Sequence, residues 1–315
     1  MKGRITALLI ALLLFLAALC GRGGYLSSLS VGETSERWRG QSETQFRRIS
    51  VYFEPHMPYN ASGAEDAARM VKSWITEGDE EIAPLMVWGN VGEAMASAGE
   101  HEIFCTAVSA TEGFFSMRGF PVKSGAVYHF GEWGFVLNRY AAFALFGSED
   151  CVGWYMKCDE ARERVIAVVE DGEEAPVIYR ALPREGEVTF FEAILPEYIK
   201  GYAKEQMEKC FYAGDSVAVR ENDRRYETSE LRADLKRLFD KETQPITFRV
   251  PFWEAREARA GRVLMVWNGV CVLLVLPLVF AAVFAAWRGV PLLWDTLRET
   301  ALFQKLRARR EKKRI

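Results

Sequence analysis

The chain has 315 residues and a formal net charge of −3, and its charge is unevenly spread. Setting aside Lys2 and Arg4 near the start, and the nine basic and three acidic residues from Arg288 onward, residues 21–262 hold 29 basic and 40 acidic side chains, a net charge near −11. An acidic body without a basic stripe is a poor match for a phosphate backbone, which excludes nucleic acid as partner. Six scattered cysteines without a C-x-x-C pair give zinc-ribbon and thioredoxin-like chemistry no support.

Lys2 and Arg4 lead into an apolar run over residues 5–20, about 24 Å of helix, short for a span unless flanking residues help. Three readings stay open: an uncleaved anchor, favoured by core length; a cleaved signal peptide; and a lipid anchor at Cys20, disfavoured by Leu19. All three send the acidic body outward. Residues 1–22 are therefore read as the anchor, and 23–45, rich in Gly, Ser and Glu, as a membrane-proximal linker.

Residues 46–250 form the core domain. Ile49, Val51 and Phe53 alternate as in a half-buried strand. Ser62 and Glu65 have the spacing of a capping box, and Ala67, Met70, Val71 and Trp74 follow at helical spacing, predicting a helix over 62–76. Residues 85–88 and 103–108 read as strands, and 133–147 as a strand running into a helix that stops at Gly147. Further strands are expected at 153–156, 164–169, 177–179, 189–195 and 215–220. Helices are expected at 196–212, opened by Pro196, and at 229–239, with Leu231, Leu235, Leu238 and Phe239 on one face. The fold class is α+β: mixed sheets with covering helices, in one domain or two subdomains, between two transmembrane helices.

Residues 251–262 are charged and helix-compatible, either a plain linker or a continuous stalk. Residues 263–287 carry no formal charge and exceed the roughly 20 needed to cross a bilayer; Asn268 and Pro277 are tolerated there. The tail 288–315, with Lys305, Arg307, Arg309, Arg310, Lys312, Lys313 and Arg314, places its end in the cytoplasm; it reads either as a topology signal alone or as a segment also attracted to anionic membrane lipids. The expected location is the plasma (cytoplasmic) membrane of a bacterial cell envelope, both termini cytoplasmic and the core domain extracytoplasmic.

Within the core, Glu112-Gly113-Phe114-Phe115 is followed by Val122 and Gly125. Val136-Leu137-Asn138-Arg139, Ala142, Leu145-Phe146-Gly147, Asp150, Val152, Gly153 and the strand 165–169 come next. This order resembles the MacB-like periplasmic core domain of ABC-transporter permeases (the FtsX/MacB superfamily), over about residues 40–250 and most specifically over 110–170. The resemblance implies an extracytoplasmic domain placed after a first membrane helix and coupled to an ATPase. It departs from that family in offering one helix before and one after the domain, without the three-helix bundle and without a G-x-x-x-x-G-K-[ST] loop. Gly147 would end a helix in the left-handed conformation and Gly153 would allow a tight turn, while Phe114, Phe115, Phe143 and Phe146 are expected as core plugs.

No residue earns a catalytic, cofactor-binding or metal role. His56, His101 and His129 are the three histidines. His101-Glu102 begins like H-E-x-x-H, but Cys105 stands where the second histidine belongs. No G-x-S-x-G elbow occurs. Glu173-Glu174 and Asp79-Glu80-Glu81 read as solvated loops, and Asn60-Ala61-Ser62 is a glycosylation sequon in form, explained by Ser62 as a cap. Cys151 and Cys158 are either bridged or free buried thiols, with the spacing favouring free thiols.

The expected function is a non-enzymatic, membrane-anchored extracytoplasmic component of an ABC-transporter-type export or signalling assembly. Its partners would be membrane lipids and, by the resemblance, an ABC ATPase and permease subunits; a homo- or hetero-oligomer is left open. The alternative is a free-standing cell-surface binding or sensor module. No cofactor is implied.

Overall fold

The structure, a computed structural model, describes residues 2–29, 33–54, 59–75, 83–128, 130–211, 216–227, 229, 231 and 250–299. It divides into two units, Ser30–Arg259 and a second comprising Met1–Leu29 with Ala260–Ile315. The helix expected at 229–239 lies outside the described residues apart from Ser229 and Leu231, as does the basic tail beyond 299.

In chain order the first unit contains α2 (Glu33–Arg39; α1 belongs to the second unit), β1 (Gln45–Phe53), β2 (Tyr59–Asn60), α3 (Ala61–Ile75), β3 (Leu85–Ala98), β4 (His101–Ala110) and α4 (Phe114–Arg118). Then come β5 (Val122–Gly125), β6 (Phe135–Asn138), α5 (Arg139–Phe146), β7 (Tyr155–Cys158), β8 (Ala161–Val169) and β9 (Val177–Ala181). The set ends with β10 (Glu187–Val188), β11 (Phe190–Glu197), α6 (Tyr202–Cys210), β12 (Val217–Glu221) and the first turns of α7 (Phe252–Glu299).

β3 belongs to two layers. Its first half pairs with β11 in the order β12-β1-β11-β3, while its second half pairs with β4 on one side and β7 on the other. Gly89 sits at the junction, opposite Phe190 and Ala110 at once, and a Cβ there would come within 2.2 Å of the Ser109 carbonyl oxygen. Only glycine lets the strands approach so closely.

Pairing continues from β4 to β9, β6, β8, β7 and back to β3, so these strands close into a ring. Their inward residues form one buried cluster with α5: Ala94, Ala96 and Ala98 from β3, Cys105 and Ala107 from β4, Leu137, Met156, Cys158, Val165, Val168 and Ile178 from the others. α5 contacts β3, β4, β6, β8 and β9, as a helix lining the inside of a ring must. Closure leaves these strands without a free edge along the seam. The outer layer is separate: α3 and α6 cover β1 and β11 through Ala64, Ala67, Val71, Ala203 and Met207 against Ile49, Val51, Phe191 and Ala193.

Several local expectations change. α3 starts at Ala61, and its cap is Asn60, whose side-chain oxygen accepts from Gly63 N at 2.7 Å. Ser62 instead donates to that same Asn60 oxygen. Asparagine is among the strongest N-caps, so it displaces the serine box. Pro196 lies within β11, paired with Phe46, and α6 starts at Tyr202 after a left-handed Gly201. Phe143 is 47% exposed, so it is no core plug, whereas Phe114 and Phe115 are buried as expected. Gly147 and Gly153 adopt positive φ, 69° and 87°. The stretch 23–45 is partly helical, α1 running to Ser28 and α2 following. Its small residues do not break α1 because the helix is carried by the apolar run before them.

Asn138 fixes the entry to α5. It is fully buried, its oxygen accepts from Ala141 N (2.9 Å) and Val177 N (3.0 Å), and its amide donates to Ala175 O at 2.8 Å. Replacing it with alanine strands two buried amides and removes the cap. A loss of about 2–3 kcal/mol is expected, read as a lower urea midpoint with unchanged m-value.

The second unit holds α1 (Lys2–Ser28) and the rest of α7. Ile10–Ser28 and Phe252–Phe280 are each long and apolar enough to cross a membrane, and Leu13 and Phe280 present apolar side chains outward, 65% and 78% exposed. Arg22 Nε donates to Asn268 Oδ1 at 2.7 Å, and a Cβ on Gly21 would come within 2.8 Å of the Trp267 ring. A small residue and a polar pair at the crossing are what helix contact in an apolar medium favours.

Candidate functional site

The first turns of α7 are where the domain's buried charge collects. Phe252-Trp253 is an aromatic pair in an otherwise charged segment, and Trp253 enters the core, its ring 5.4 Å from those of both Phe114 and Phe190. Its indole Nε1 donates to Glu192 Oε1 at 3.0 Å. Glu192 is fully buried on β11 and pairs with Arg118 at the end of α4 at 2.5 Å. The Arg118 guanidinium in turn lies 4.1 Å over the Trp253 ring. A charge this deep is tolerated only when paired and hydrogen-bonded.

One residue further along α7, Glu254 is 3% exposed and accepts from Tyr52 Oη (2.9 Å) on β1 and from Arg225 Nη1 (3.0 Å), with Arg225 Nη2 closing a two-pronged pair. Arg225 also reaches Glu257 at 2.5 Å, and Arg48 Nη2 donates to Glu257 at 2.6 Å. Tyr226 Oη donates to the Glu257 carbonyl at 3.0 Å. Arg256, on another side of the helix, donates to the Asp171 carbonyl at 3.2 Å and pairs with Glu173. Glu173, expected as a solvated loop residue, is thus a partner of α7.

Burial disfavours the charged form of Arg225, but Glu254 and Glu257 outweigh it and hold the guanidinium protonated beyond its ordinary range. Burial and the neighbouring Glu254 push the Tyr52 phenol well up, so it remains a donor. The cluster therefore holds α7 by fixed ion pairs from β1, β11, α4 and the turns at 171–173 and 222–227.

A second charged knot ties the end of β11 to β1. Glu197 accepts from Arg47 Nε (2.8 Å), Arg224 Nη2 (2.6 Å) and Gly201 N (2.7 Å). Burial opposes ionisation here, yet Arg47, the Gly201 amide and Arg224 together hold the carboxyl below its usual value. A carboxylate with a depressed folded pKa contributes stability above its unfolded pKa and loses it as pH falls through the folded one. The stability gap between the wild type and Glu197→Gln is therefore expected to be constant near neutrality and to close in acid below the ordinary glutamate range. Thermal unfolding across a pH series reads it.

The residues singled out in the sequence do not converge. His101 is exposed at the start of β4, and His56 and His129 lie outside the described residues. Among the described residues no group of three or more His, Cys, Asp or Glu side chains is placed to hold a metal ion. Cys151 and Cys158 are both buried and unbridged. A groove of about 720 Å³ lies between α3, the start of β3 and α4, lined among others by Met86, Trp88, Phe115 and Tyr128.

No protein-family model matches the sequence, and no curated protein does. Among solved structures, the chain matches the periplasmic region of MacB from Actinobacillus actinomycetemcomitans at 12% identity and a TM-score of 0.45, over 67% of this chain and 100% of that one. It matches the extracellular domain of the noncanonic ABC-type transporter YknZ from Gram-positive bacteria at 16% identity and a TM-score of 0.41, over 55% and 99%. Both are likenesses of fold to extracytoplasmic domains. Its architecture is the expected one, a mixed α+β domain between two apolar helices.

Sequence reasoning missed the residues of the charge cluster. Two signals were present: Glu192 in Phe190-Phe191-Glu192-Ala193-Ile194-Leu195, a lone charge in a strand apolar on both faces, and Phe252-Trp253 in a segment read as a charged linker or stalk.

Proposed function

We propose that this chain is a non-enzymatic, membrane-anchored component of a MacB/FtsX-like ABC-type export or signalling assembly, with its domain on the extracytoplasmic side acting as a handle on α7. The observation that carries this reading is the rooting of α7. Trp253, Glu254, Arg256 and Glu257 are each engaged by separate parts of the domain, and α7 is one uninterrupted helix from Phe252 to Glu299. A passive linker has no use for buried ion pairs; a helix that must move with its domain does. The motif order around Glu112–Phe115 and Asn138–Gly147, which resembles the MacB-like core domain, supports the same reading. The acidic body and the basic tail support the orientation, with both ends cytoplasmic.

The test is purification of the full-length chain from its native membranes in mild detergent. The expected result is an ATP-hydrolysing ABC subunit bound in stoichiometric amount, with turnover that changes when three glycines are inserted after Arg259. A chain that purifies alone, with no such subunit in the same membranes, overturns the proposal. A free-standing surface binding module has one feature in its favour, the aromatic groove beside Trp88 and Tyr128. Saturable binding of a small apolar ligand that Trp88→Ala abolishes would establish that second reading.

A further inference from the structure

The domain's two connections to the apolar helices meet it at one end. β1, the first strand after α1, begins at Gln45, and Gln45 pairs with Glu197 where β11 ends. The first turns of α7 run back along β1, so that Glu254 meets Tyr52 and Glu257, almost one turn on, meets Arg48. α7 therefore leaves the domain toward the end marked by Gln45 and Glu197. Its uncharged stretch starts at Val263, about 9 Å beyond Glu257 along the helix.

The turn that follows β11 stands at this same end. Turns usually draw Gly, Asn, Asp or Ser. This one presents Tyr198, Ile199 and Lys200 before the left-handed Gly201, and Tyr202 opens α6. Ile199 is 70% exposed, and both tyrosines are exposed beside it. The turn is not slack. The Gly201 amide donates to Glu197 Oε1 at 2.7 Å, Tyr202 N donates to Ile199 O at 3.0 Å, and Arg47 and Arg224 pin Glu197 in turn. The charged knot thus holds an isoleucine outward between two tyrosines, an exposure that the fold of the domain does not require. Lys200 lies 3.7 Å from Glu227, and the cleft of about 450 Å³ beside the turn is lined by Glu43, Glu197, Lys200 and Arg224 among others. That mixture of signs gives the turn no preference for anionic lipid.

We propose that the turn 198–202 is a membrane contact: Ile199 enters the apolar edge of the leaflet next to the domain, with Tyr198 and Tyr202 at headgroup level and Lys200 reaching the headgroups. The occupant is a lipid surface because the turn stands where the chain passes into its apolar helix, and because an isoleucine flanked by tyrosines and a lysine suits the membrane interface. The turn gives the domain a second foothold beside α7, so that it resists tilting about the helix. This inference rests on α7 crossing the bilayer and not on an ABC partner.

The experiment places a nitroxide on single exposed cysteines of the full-length chain in lipid nanodiscs, in a Cys20→Ser background; the other native cysteines are buried. Collisions with oxygen, which concentrates in lipid, are compared with those of a nickel chelate, which stays in water. Ile199→Cys is read against Leu273→Cys in the apolar stretch of α7 and against Phe104→Cys, opposite Met95 in the second half of β3. The expected result is that the label favours oxygen at 199 as at 273 and favours nickel at 104, equally in phosphatidylcholine and with phosphatidylglycerol added. A label at 199 that favours nickel while 273 favours oxygen overturns the contact and leaves the span standing. Shielding of 199 from both reagents means that protein covers the turn, and overturns it too. Protection only with phosphatidylglycerol replaces insertion by ionic attraction through Lys200 and also overturns it. If 273 favours nickel, the span fails and the contact with it.

Discussion

Replacing Arg225 with alanine is expected to destabilise the domain by about 3–5 kcal/mol, because it leaves the buried Glu254 with only Arg220 as cation, 3.7 Å away, and takes from Glu257 one of its two arginine partners. Arg225 is 7% exposed and is the shared partner of Glu254 and Glu257, while Tyr52 gives Glu254 only one neutral hydrogen bond. A domain of this size should lose roughly 10 °C in Tm. The penalty is one of stranded charge, so Arg225→Met combined with Glu254→Gln should recover part of it, a pattern that loss of packing alone would not give. A loss under about 1 kcal/mol for Arg225→Ala would mean that water enters the cluster and that it grips nothing.

Phe114→Ala is the second large effect, expected at about 3–5 kcal/mol. Phe114 is fully buried, with ring contacts to Phe115, Phe120, Phe130, Tyr179, Phe190 and Trp253. It joins α4, the ring strand β9, β11 and the root of α7 in one cluster. A double-mutant cycle with Trp253→Ala should return a coupling of about 0.5–1.5 kcal/mol, since the two rings touch. Additivity of the two substitutions would place Trp253 outside the core and unseat α7 from it.

The contrast between these two sites shows what the sequence makes legible. Phe114 was readable because it sits in an ordered run of glycines and aromatics, and burial of an aromatic is the default. β1, α3, α5 and β8 were likewise readable from periods of two or 3.6 in their apolar residues. The second half of β3 was not. Gly92, Ala94, Ala96 and Ala98 carry no β-branched or aromatic side chain, and they form a strand because β4 and β7 pair with them and the ring needs small residues facing inward. Ring closure itself has no local signal, since it depends on β7 returning to β3 from about sixty residues away. The charge cluster was hidden for a different reason. Glu254, Arg256 and Glu257 look like any solvated helix face until the tertiary fold brings Arg48, Arg118, Arg225 and Glu192 around them.

A helix rooted in the domain has its first turns held as firmly as the sheet. Hydrogen exchange on the full-length chain in lipid nanodiscs, followed by mass spectrometry, measures this directly. Amides of residues 254–262 should exchange as slowly as those of β1 and β11, and Arg225→Ala should accelerate them selectively, ahead of the ring strands. Rapid exchange across 254–265 in the unmodified chain, with β1 and β11 still protected, would show a flexible break where the account requires a rooted helix.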